Sequence, residues 1–476
     1  MNRREFVKGV ALTACVPAAG VGVVGHADAA EVQTADEAAA DVLVVGGSMT
    51  GLFAAIRAAE AGLRVMLLER RGSFGGTATQ GLVPVLHSLY ATDGEEQIIG
   101  GLTQEVVARL VKRGEAKLQD RRDRNVYCWM NVAELQLVLD EMAAEHPEIE
   151  THFETRFTAV ETDRPGHVTR AFYEDKSGRH AVRAKVFIDA SGDADLVRAT
   201  EGLKVWRLPK DELQAHTLCA ILTGVDEVKR RYPDFSFHEV LRPERGAGLK
   251  HVYCWCEPLF FDKSLTFISG TRITACDTTD PKDVTAAYFE ARRQLRKIVD
   301  AANRCYPMPD GKRGISFVAI APALGIRESC HIESLYRVTD KDILYAKKFE
   351  DVAAKGCYRV DIHEGTGLTF RYLDGTEEIQ KYDPKTKTTR WFPGRWRPET
   401  PTNPTYYSIP YRSIVPKGSE NVLAAGRMLD CSRDAFGALR VMVNCNQLGE
   451  TAGRAAARVV REGLKVADAY PGAPKI

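Results

Sequence analysis

The chain has 476 residues, 44% of them hydrophobic, which is enough apolar material for a large core divided over two domains. Its 65 lysines and arginines balance 64 aspartates and glutamates, so charge gives no reason to expect nucleic acid or an anionic membrane surface as a partner. No internal repeat or long low-complexity stretch interrupts it.

The first residues read as an export signal. Arg3-Arg4-Glu5-Phe6-Val7-Lys8 has paired arginines, an aromatic, an apolar residue and a lysine, the twin-arginine arrangement. A weakly apolar run, 9–25, follows and is broken by Pro17; Ala27-Asp28-Ala29 is then an A-x-A cleavage site. The expected signal peptide is 1–29, with Ala30 as the mature N-terminus. The run is too short and too rich in Gly and Ala to span a bilayer well, so no membrane span is expected in the mature chain. The twin-arginine export machinery is an expected partner, and the expected location is periplasmic or otherwise extracytoplasmic. Two rival readings stay open: Leu12-Thr13-Ala14-Cys15 resembles a lipobox, which would make the protein a lipoprotein through Cys15, and the segment could be an uncleaved tail. The ten cysteines after this segment are scattered and include no C-x-x-C pair, so neither an iron–sulfur cluster nor a zinc site is expected, and no metal is assigned.

Residues 41–69 form one unit. Asp41-Val42-Leu43-Val44-Val45 suits a buried parallel strand, and Gly46-Gly47-Ser48-Met49-Thr50-Gly51 follows at once. The next residues, 52–62, have helical spacing; Arg64-Val65-Met66-Leu67-Leu68 is a second strand, and Glu69 stands at its end. Strand, glycine turn, helix, strand and acid in this order make the dinucleotide-binding βαβ unit. Gly46 permits the tight turn, Gly51 lets the helix approach the strand, and the helix N-terminus offers N–H groups and a positive dipole end to a pyrophosphate. Glu69 suits the hydroxyls of an adenosine ribose. The middle glycine of the motif is replaced by Ser48, which crowds the pyrophosphate but offers it a hydroxyl.

Arg70 and Arg71 lead into Gly75-Gly76-Thr77, a loop able to lie along a cofactor. Helices are predicted near 103–112 and 132–145. Alternating segments at 151–161, 168–174 and 180–183 predict a three-stranded antiparallel meander, which leads into a buried strand at 184–189 and then Gly192-Asp193. From about Trp206 aromatics, prolines and charges mix; strands are expected near 265–273, a helix over 281–302, and loops over 372–404. At Asn421 the first texture returns, with a strand closing on Gly426-Arg427 and an Ala/Gly-rich helix over 439–463. The expected fold class is α/β: a Rossmann-like domain of parallel sheet plus β-meander, split into 38–205 and 406–465, with an α+β substrate or cap domain inserted at 206–405.

These segments resemble the FAD-dependent oxidoreductases of the glutathione-reductase superfamily, and look closest to the branch related to the FAD part of heterodisulfide reductase. The resemblance rests on 44–51 with Glu69, Gly75-Gly76-Thr77-Ala78-Thr79, Ile188-Asp189-Ala190-Ser191-Gly192-Asp193, Gly325-Ile326-Arg327-Glu328-Ser329, and Ala425-Gly426-Arg427 with Gly437-Ala438-Leu439-Arg440-Val441. It implies FAD as the dinucleotide. Gly46, Gly47, Ser48 and Gly51 would hold the pyrophosphate, Glu69 and Arg70 the adenosine side, and Gly75, Gly76 and Thr77 the ribityl and flavin. Gly192 and Asp193 would close over the cofactor, and Gly426 and Arg427 would sit near the ribityl and pyrophosphate. A helix starting near Leu439-Arg440 would aim its N-terminus at the flavin N1/O2 edge, where negative charge gathers on reduction. The family arginine after Ser329 is replaced here by Cys330-His331.

Flavin hydride transfer needs a substrate C–H facing N5 and a group to handle the accompanying proton. His363, in Asp361-Ile362-His363, is the first candidate for that proton, against a structural histidine pinned by Asp361; His331 is the second. Arg327 would polarise a carbonyl or bind a carboxylate, unless Glu328 claims it in an ion pair; Arg440 would touch cofactor or substrate. His87 is a lesser candidate for the flavin face, and Trp391, Arg395, Trp396 and Arg397 form a candidate aromatic and basic lid. The leading expectation is an exported flavoenzyme acting on a small molecule, its electron partner undefined. The alternatives are a flavin electron-transfer subunit serving a protein partner, and a catalytically silent flavin-bound interaction protein. No second strand–glycine–helix–acid unit marks a site for NAD(P)H.

Overall fold

Five short strands form one sheet, in the order Val422–Ala424, Val186–Asp189, Val42–Val45, Val65–Leu68, Ile149–His152, with every neighbouring pair parallel. The first four are buried along their whole length and apolar but for Asp189 at the end of one, as expected for strands covered on both faces. The computed structural model describes residues 35–474, apart from 120–125, 243–246, 250, 252, 310, 313, 366, 384 and 387. The signal-peptide and lipobox readings fall on 1–34 and lie outside the described residues. Among the described residues no helix is long and apolar enough to cross a membrane, and all ten cysteines are free thiols.

Alternation along the strands sorts side chains between two cores. Val42, Val44, Val65, Leu67, Val186 and Ile188 face a helical core, while Leu43, Val45, Met66, Leu68 and Phe187 face a core shared with the meander. That meander runs Arg156–Arg164, His167–Asp175, Gly178–Arg183, antiparallel throughout, and Ala35–Ala39 adds a parallel strand at its edge. The run expected as one strand over 151–161 is two. Ile149–His152 completes the parallel sheet, and the chain then breaks at Glu154, which adopts a left-handed φ of 53°, before Arg156–Arg164 starts the meander.

On the helical side, Met49–Ala59 packs against Met442–Glu462. Gly449 and Gly453 make this contact possible: a Cβ at Gly449 would stand 2.0 Å from Thr50 O, and one at Gly453 2.2 Å from Ala54 O. Residues at the two ends of the chain are thereby locked side by side.

Inside 206–405 two further layers appear. Trp255–Pro258, Leu265–Ser269, Ala220–Thr223 and Ser316–Ile320 form an antiparallel sheet against the helix Pro281–Cys305, with a separate core that includes Leu222, Ile268, Leu295 and Ile298. The helix is started by Asp280, whose side chain accepts from Lys282 N at 2.8 Å. Val360–His363, Leu368–Arg371, Thr376–Asp383 and Thr388–Arg395 make a second antiparallel sheet. Its first strand sends Val360 and Ile362 into the core shared with Met49–Ala59. The loop reading of 372–404 is corrected here. Much of the segment is a long hairpin, because its threonines are β-branched and Ile379, Gln380 and Phe392 take cross-strand partners.

Two outcomes are expected. Gly449→Ala or Gly453→Ala forces a Cβ against backbone that cannot yield, so each lowers stability by about 1–3 kcal/mol, read as a shift in Tm; an unchanged Tm would mean the helices do not touch there. His216 and His251 are 1% and 4% exposed, and burial pushes each down to about 4 from 6.5. Between those values the unfolded chain binds protons that the folded chain refuses, so stability present in full above pH 6.5 is lost as pH falls toward 4. Each histidine contributes about 1.4 kcal/mol per pH unit across that window. His251→Gln should flatten the fall in denaturant midpoint; an equally steep fall would remove His251 as a cause.

Candidate active site

A continuous cavity of about 1060 Å³ begins at the C-terminal ends of Val42–Val45 and Val186–Asp189 and runs on between the parallel sheet and the inserted layers. It exceeds the usual range for a single drug-sized ligand, about 300–1,000 Å³. Gly46, Ser48, Glu69, Arg70, Gly75, Gly76 and Thr77 line one end. Glu69 is buried at the tip of its strand; Gly47 N–H donates to its Oε2 at 2.6 Å and Arg71 N–H to its Oε1 at 2.9 Å. Burial raises its pKa against those two donors. Each oxygen keeps acceptor capacity for a ribose hydroxyl. Gly47 therefore orients the acid rather than lining the cavity, and Gly51 packs behind the turn against Gly46 O and Ala190 Cβ.

Ser48 is the N-cap of Met49–Ala59 but makes no side-chain cap hydrogen bond, which leaves its hydroxyl and the helix N–H groups to an anion. Its bulk is accommodated by Gly76, with φ +54°, where a Cβ would stand 2.9 Å from Ser48 Cβ. The departure from the glycine motif at 48 is matched by a glycine across the cavity.

Behind the other wall, Asp193 forms a buried hub. Arg427 Nη2 donates to its Oδ1 at 2.6 Å, Ser329 Oγ donates to the same oxygen at 2.7 Å, and Arg70 lies 3.7 Å from Oδ2. Burial opposes the charge on Asp193, yet Arg427 and Arg70 hold its pKa below the usual carboxylate range. Asp193 thus positions two arginines that line the cavity and does not itself line it. Gly192 leaves room for the Arg427 guanidinium, since a Cβ there would meet Nη1 at 2.6 Å. Gly426 lines the cavity beside it. The helix expected to start near 439 starts instead at Met442; Leu439 ends the preceding helix Arg433–Leu439 and is fully buried away from the cavity. Val441, Met442, Cys445 and Asn446 bring the helix N-terminus to the cavity in its place. Backbone cradle, buried acid, uncapped helix end and spare volume together fit FAD.

The inner end holds the titratable groups. His363 Nε2 lies 3.0 Å from Asp361 Oδ1. Tyr358 O–H donates to Asp361 Oδ2 at 2.8 Å, and Arg440 Nη2 donates to Asp361 O at 2.9 Å and lies 3.4 Å from Oδ2. Burial works against the Asp361 charge, but His363, Arg440 and Arg359 hold its pKa well below the ordinary value. Burial, with Arg327 and Arg440, pushes His363 down to about 3, so its ring is neutral at neutral pH. A neutral ring has one nitrogen free to accept a proton; Asp361 Oδ1, which has no hydrogen-bond partner of its own, lies 3.0 Å from Nε2 without forming a well-aligned hydrogen bond. Arg327 lines the same space; its Nη1 donates to Thr217 Oγ1 at 2.7 Å and to Ala215 O, and burial pulls it down to about 10.

Three expectations are corrected. His331 does not reach the cavity: its ring stacks on Trp206 with centroids 4.3 Å apart, and it sits between Leu429 O at 2.7 Å and Glu328 at 3.2 Å. The alternative Arg327–Glu328 pair does not form, because Glu328 turns away to accept from Gln214 N at 2.9 Å and to face His331. The candidate lid lies off the cavity as well. Trp391 stacks on Phe370, Trp396 donates to Tyr372 O at 2.7 Å, Arg395 donates to Asp374 O at 3.0 Å, and Arg397 donates to Leu373 O at 2.7 Å. His87 does line the cavity, where burial drives it down to about 3. Motif and spacing do not reach Arg359 or Tyr358. Arg359 lies in the loop just before the strand Val360–His363, where period-two alternation does not apply.

The family described as FAD dependent oxidoreductase matches residues 41–471. No curated protein matches the chain. Among solved structures, p-nitrophenol 4-monooxygenase PnpA from Pseudomonas putida is 14% identical with a TM-score of 0.44, covering 92% of this chain and 84% of that one. A geranylgeranyl bacteriochlorophyll reductase-like protein from Thermoplasma acidophilum is 14% identical with a TM-score of 0.46, covering 90% and 80%. The flavin-dependent brominase Bmp2 is 14% identical with a TM-score of 0.43, covering 91% and 82%. Likeness at that level says nothing of substrate. The family match runs through both ends of the cavity, and the chain belongs to the FAD-dependent oxidoreductases, flavoprotein enzymes that take FAD.

Proposed function

We propose that this protein is an exported FAD-dependent oxidoreductase of the glutathione-reductase superfamily, acting on a small molecule through a substrate layer contributed by 206–405. FAD, when bound, supplies the two-electron chemistry, with hydride passing between the substrate and flavin N5. The observation that carries this reading is that His363, Asp361, Arg327 and Arg440 line the same cavity as Gly46 and Glu69. An electron-transfer subunit has no need of such a chamber beyond its cofactor cradle.

In this reading Gly46, Ser48, Glu69, Arg70, Gly75, Gly76, Thr77, Gly192, Gly426 and Arg427 hold the dinucleotide, and Gly47, Gly51 and Asp193 fix the groups that do so. Arg440 and the N-terminus of Met442–Glu462, which line the cavity, would favour negative charge on a flavin bound beside them. Asp361 orients His363, and His363 Nδ1 takes the proton released as the substrate is oxidised, or returns it in the reverse direction. The surrounding buried aromatics, Tyr358 among them, exclude water from that transfer.

Anaerobic mixing of the purified flavoprotein with sugars, hydroxy acids and amines should bleach the flavin with at least one class. A flavin inert to all of them but reduced stoichiometrically by a co-purifying protein would replace this reading with the electron-transfer one. His363→Gln should slow the bleaching by about 10²–10⁴-fold with flavin content unchanged; bleaching at the original rate would remove His363 from the proton role. For export, the secreted protein should begin at Ala30 by intact mass, and an Arg3→Lys, Arg4→Lys double variant should stay inside at full length. A lipid-modified N-terminus at Cys15 would favour the lipoprotein reading instead.

A further inference from the structure

Charge on the inner wall of the cavity is unbalanced. Arg327, Arg359 and Arg440 all line it, against the single buried carboxylate of Asp361. That carboxylate is already engaged by Tyr358, Arg440 and His363. Among the described residues no carboxylate pairs with Arg327 or Arg359; Glu257 also lines the cavity, on strand Trp255–Pro258, and pairs with neither. Arg359 and Arg440 each keep a buried Nε without a hydrogen-bond partner, and Arg359 lies over the Phe370 ring at 4.1 Å. Guanidiniums that line a largely protein-walled cavity are costly unless an anion meets them.

The walls alongside are aromatic. Trp129 and Trp255 lie with centroids 5.7 Å apart, and His87 lies 4.8 Å from Tyr127 and 5.2 Å from Tyr358. Such rings favour a flat or ring-shaped body, and a guanidinium matches the two oxygens of a carboxylate.

We propose that the substrate of this enzyme is a carboxylate carried on a ring, its charge held by the unpaired guanidiniums Arg327 and Arg359 and its ring by the aromatic wall of Trp129 and Trp255. Calling the ligand a substrate rests on the hydride-transfer reading; the anion site does not. A negative charge beside Arg327 also offsets one cause of the low basicity of His363, so the bound substrate prepares its own proton acceptor. The ring is either aromatic or a sugar acid, and both present the same carboxylate.

The test is a titration of the flavin-loaded protein, in chloride-free buffer, followed in the visible flavin spectrum. The probes are benzoate, cyclohexanecarboxylate, glucuronate, acetate and the neutral benzamide. Benzoate or glucuronate should bind at least tenfold tighter than acetate, and benzoate at least tenfold tighter than benzamide; which of the two ring acids wins identifies the ring. Arg327→Gln or Arg359→Gln, with flavin content and circular dichroism unchanged, should weaken the ring acid at least tenfold and leave benzamide as it was. Ring acids that bind no tighter than acetate, no spectral response to any acid, full affinity in both variants, or, where benzoate is the tighter ring acid, equal binding of benzoate and benzamide would overturn the proposal. A ring acid with an oxidisable C–H, such as glucuronate, that binds in this way yet bleaches no flavin keeps the anion site and removes the hydride reading; benzoate, which has no hydride to give, bears on the anion site alone. Bleaching by neutral alcohols alone, with no acid binding, does the reverse.

Discussion

The structure depends on the close contact between Met49–Ala59 and Met442–Glu462. Two small residues one helical turn apart, Gly449 and Gly453, let backbone meet backbone, as small-residue spacing does wherever helices must approach closely. The consequence is functional. Ser48 and the first turn of one helix form the anion end of the cavity, while Met442 and Asn446 from the other line the same space. Wider separation of the helices would open the cradle that the glycine turn at 46 builds. The covalent distance between the two segments is most of the chain, so packing, not connectivity, assembles the site.

Along the cavity the electrostatics change character. At the dinucleotide end charges are matched: Glu69 is satisfied by backbone N–H groups, and Asp193 holds Arg70 and Arg427 in place. At the inner end cations outnumber anions, and the histidines facing it, His87 and His363, are held neutral by burial and by those same cations. In the first arrangement the charged side chains are already satisfied by their neighbours. The second is completed only by a ligand. Preorganised positive charge beside a neutral base is the disposition expected where negative charge arrives with the substrate or develops during its reaction.

Much of the nucleotide end is legible in the sequence, because it is built from local signals. An apolar strand, a glycine turn, a helical stretch and an acid lie within thirty residues, and each part acts on its neighbours. The inner end is legible only by residue. Asp361 and His363 stand out by their chemistry, but Arg359, in the loop just before their strand, does not, and no periodicity reaches it. His331 carries the same chemistry as His363 and is sealed behind Trp206 and Phe436, a difference set by partners distant in sequence. The hairpin at 376–395 is hidden because threonine and charge read as loop when no partner strand is known.

The sequence by itself determined the parallel strands, the glycine turn and the acid that follows, since hydrophobic period and backbone freedom act over a few residues. It also determined which residue types were available for chemistry. Only the tertiary structure decided which of them meet. The helix breaks at Arg440-Val441 and restarts at Met442, Glu328 turns toward His331 rather than Arg327, and Arg327, Arg359 and His363 share one chamber. Each of these outcomes is set by packing between segments far apart along the chain, where the energies of burial and pairing outweigh any local preference.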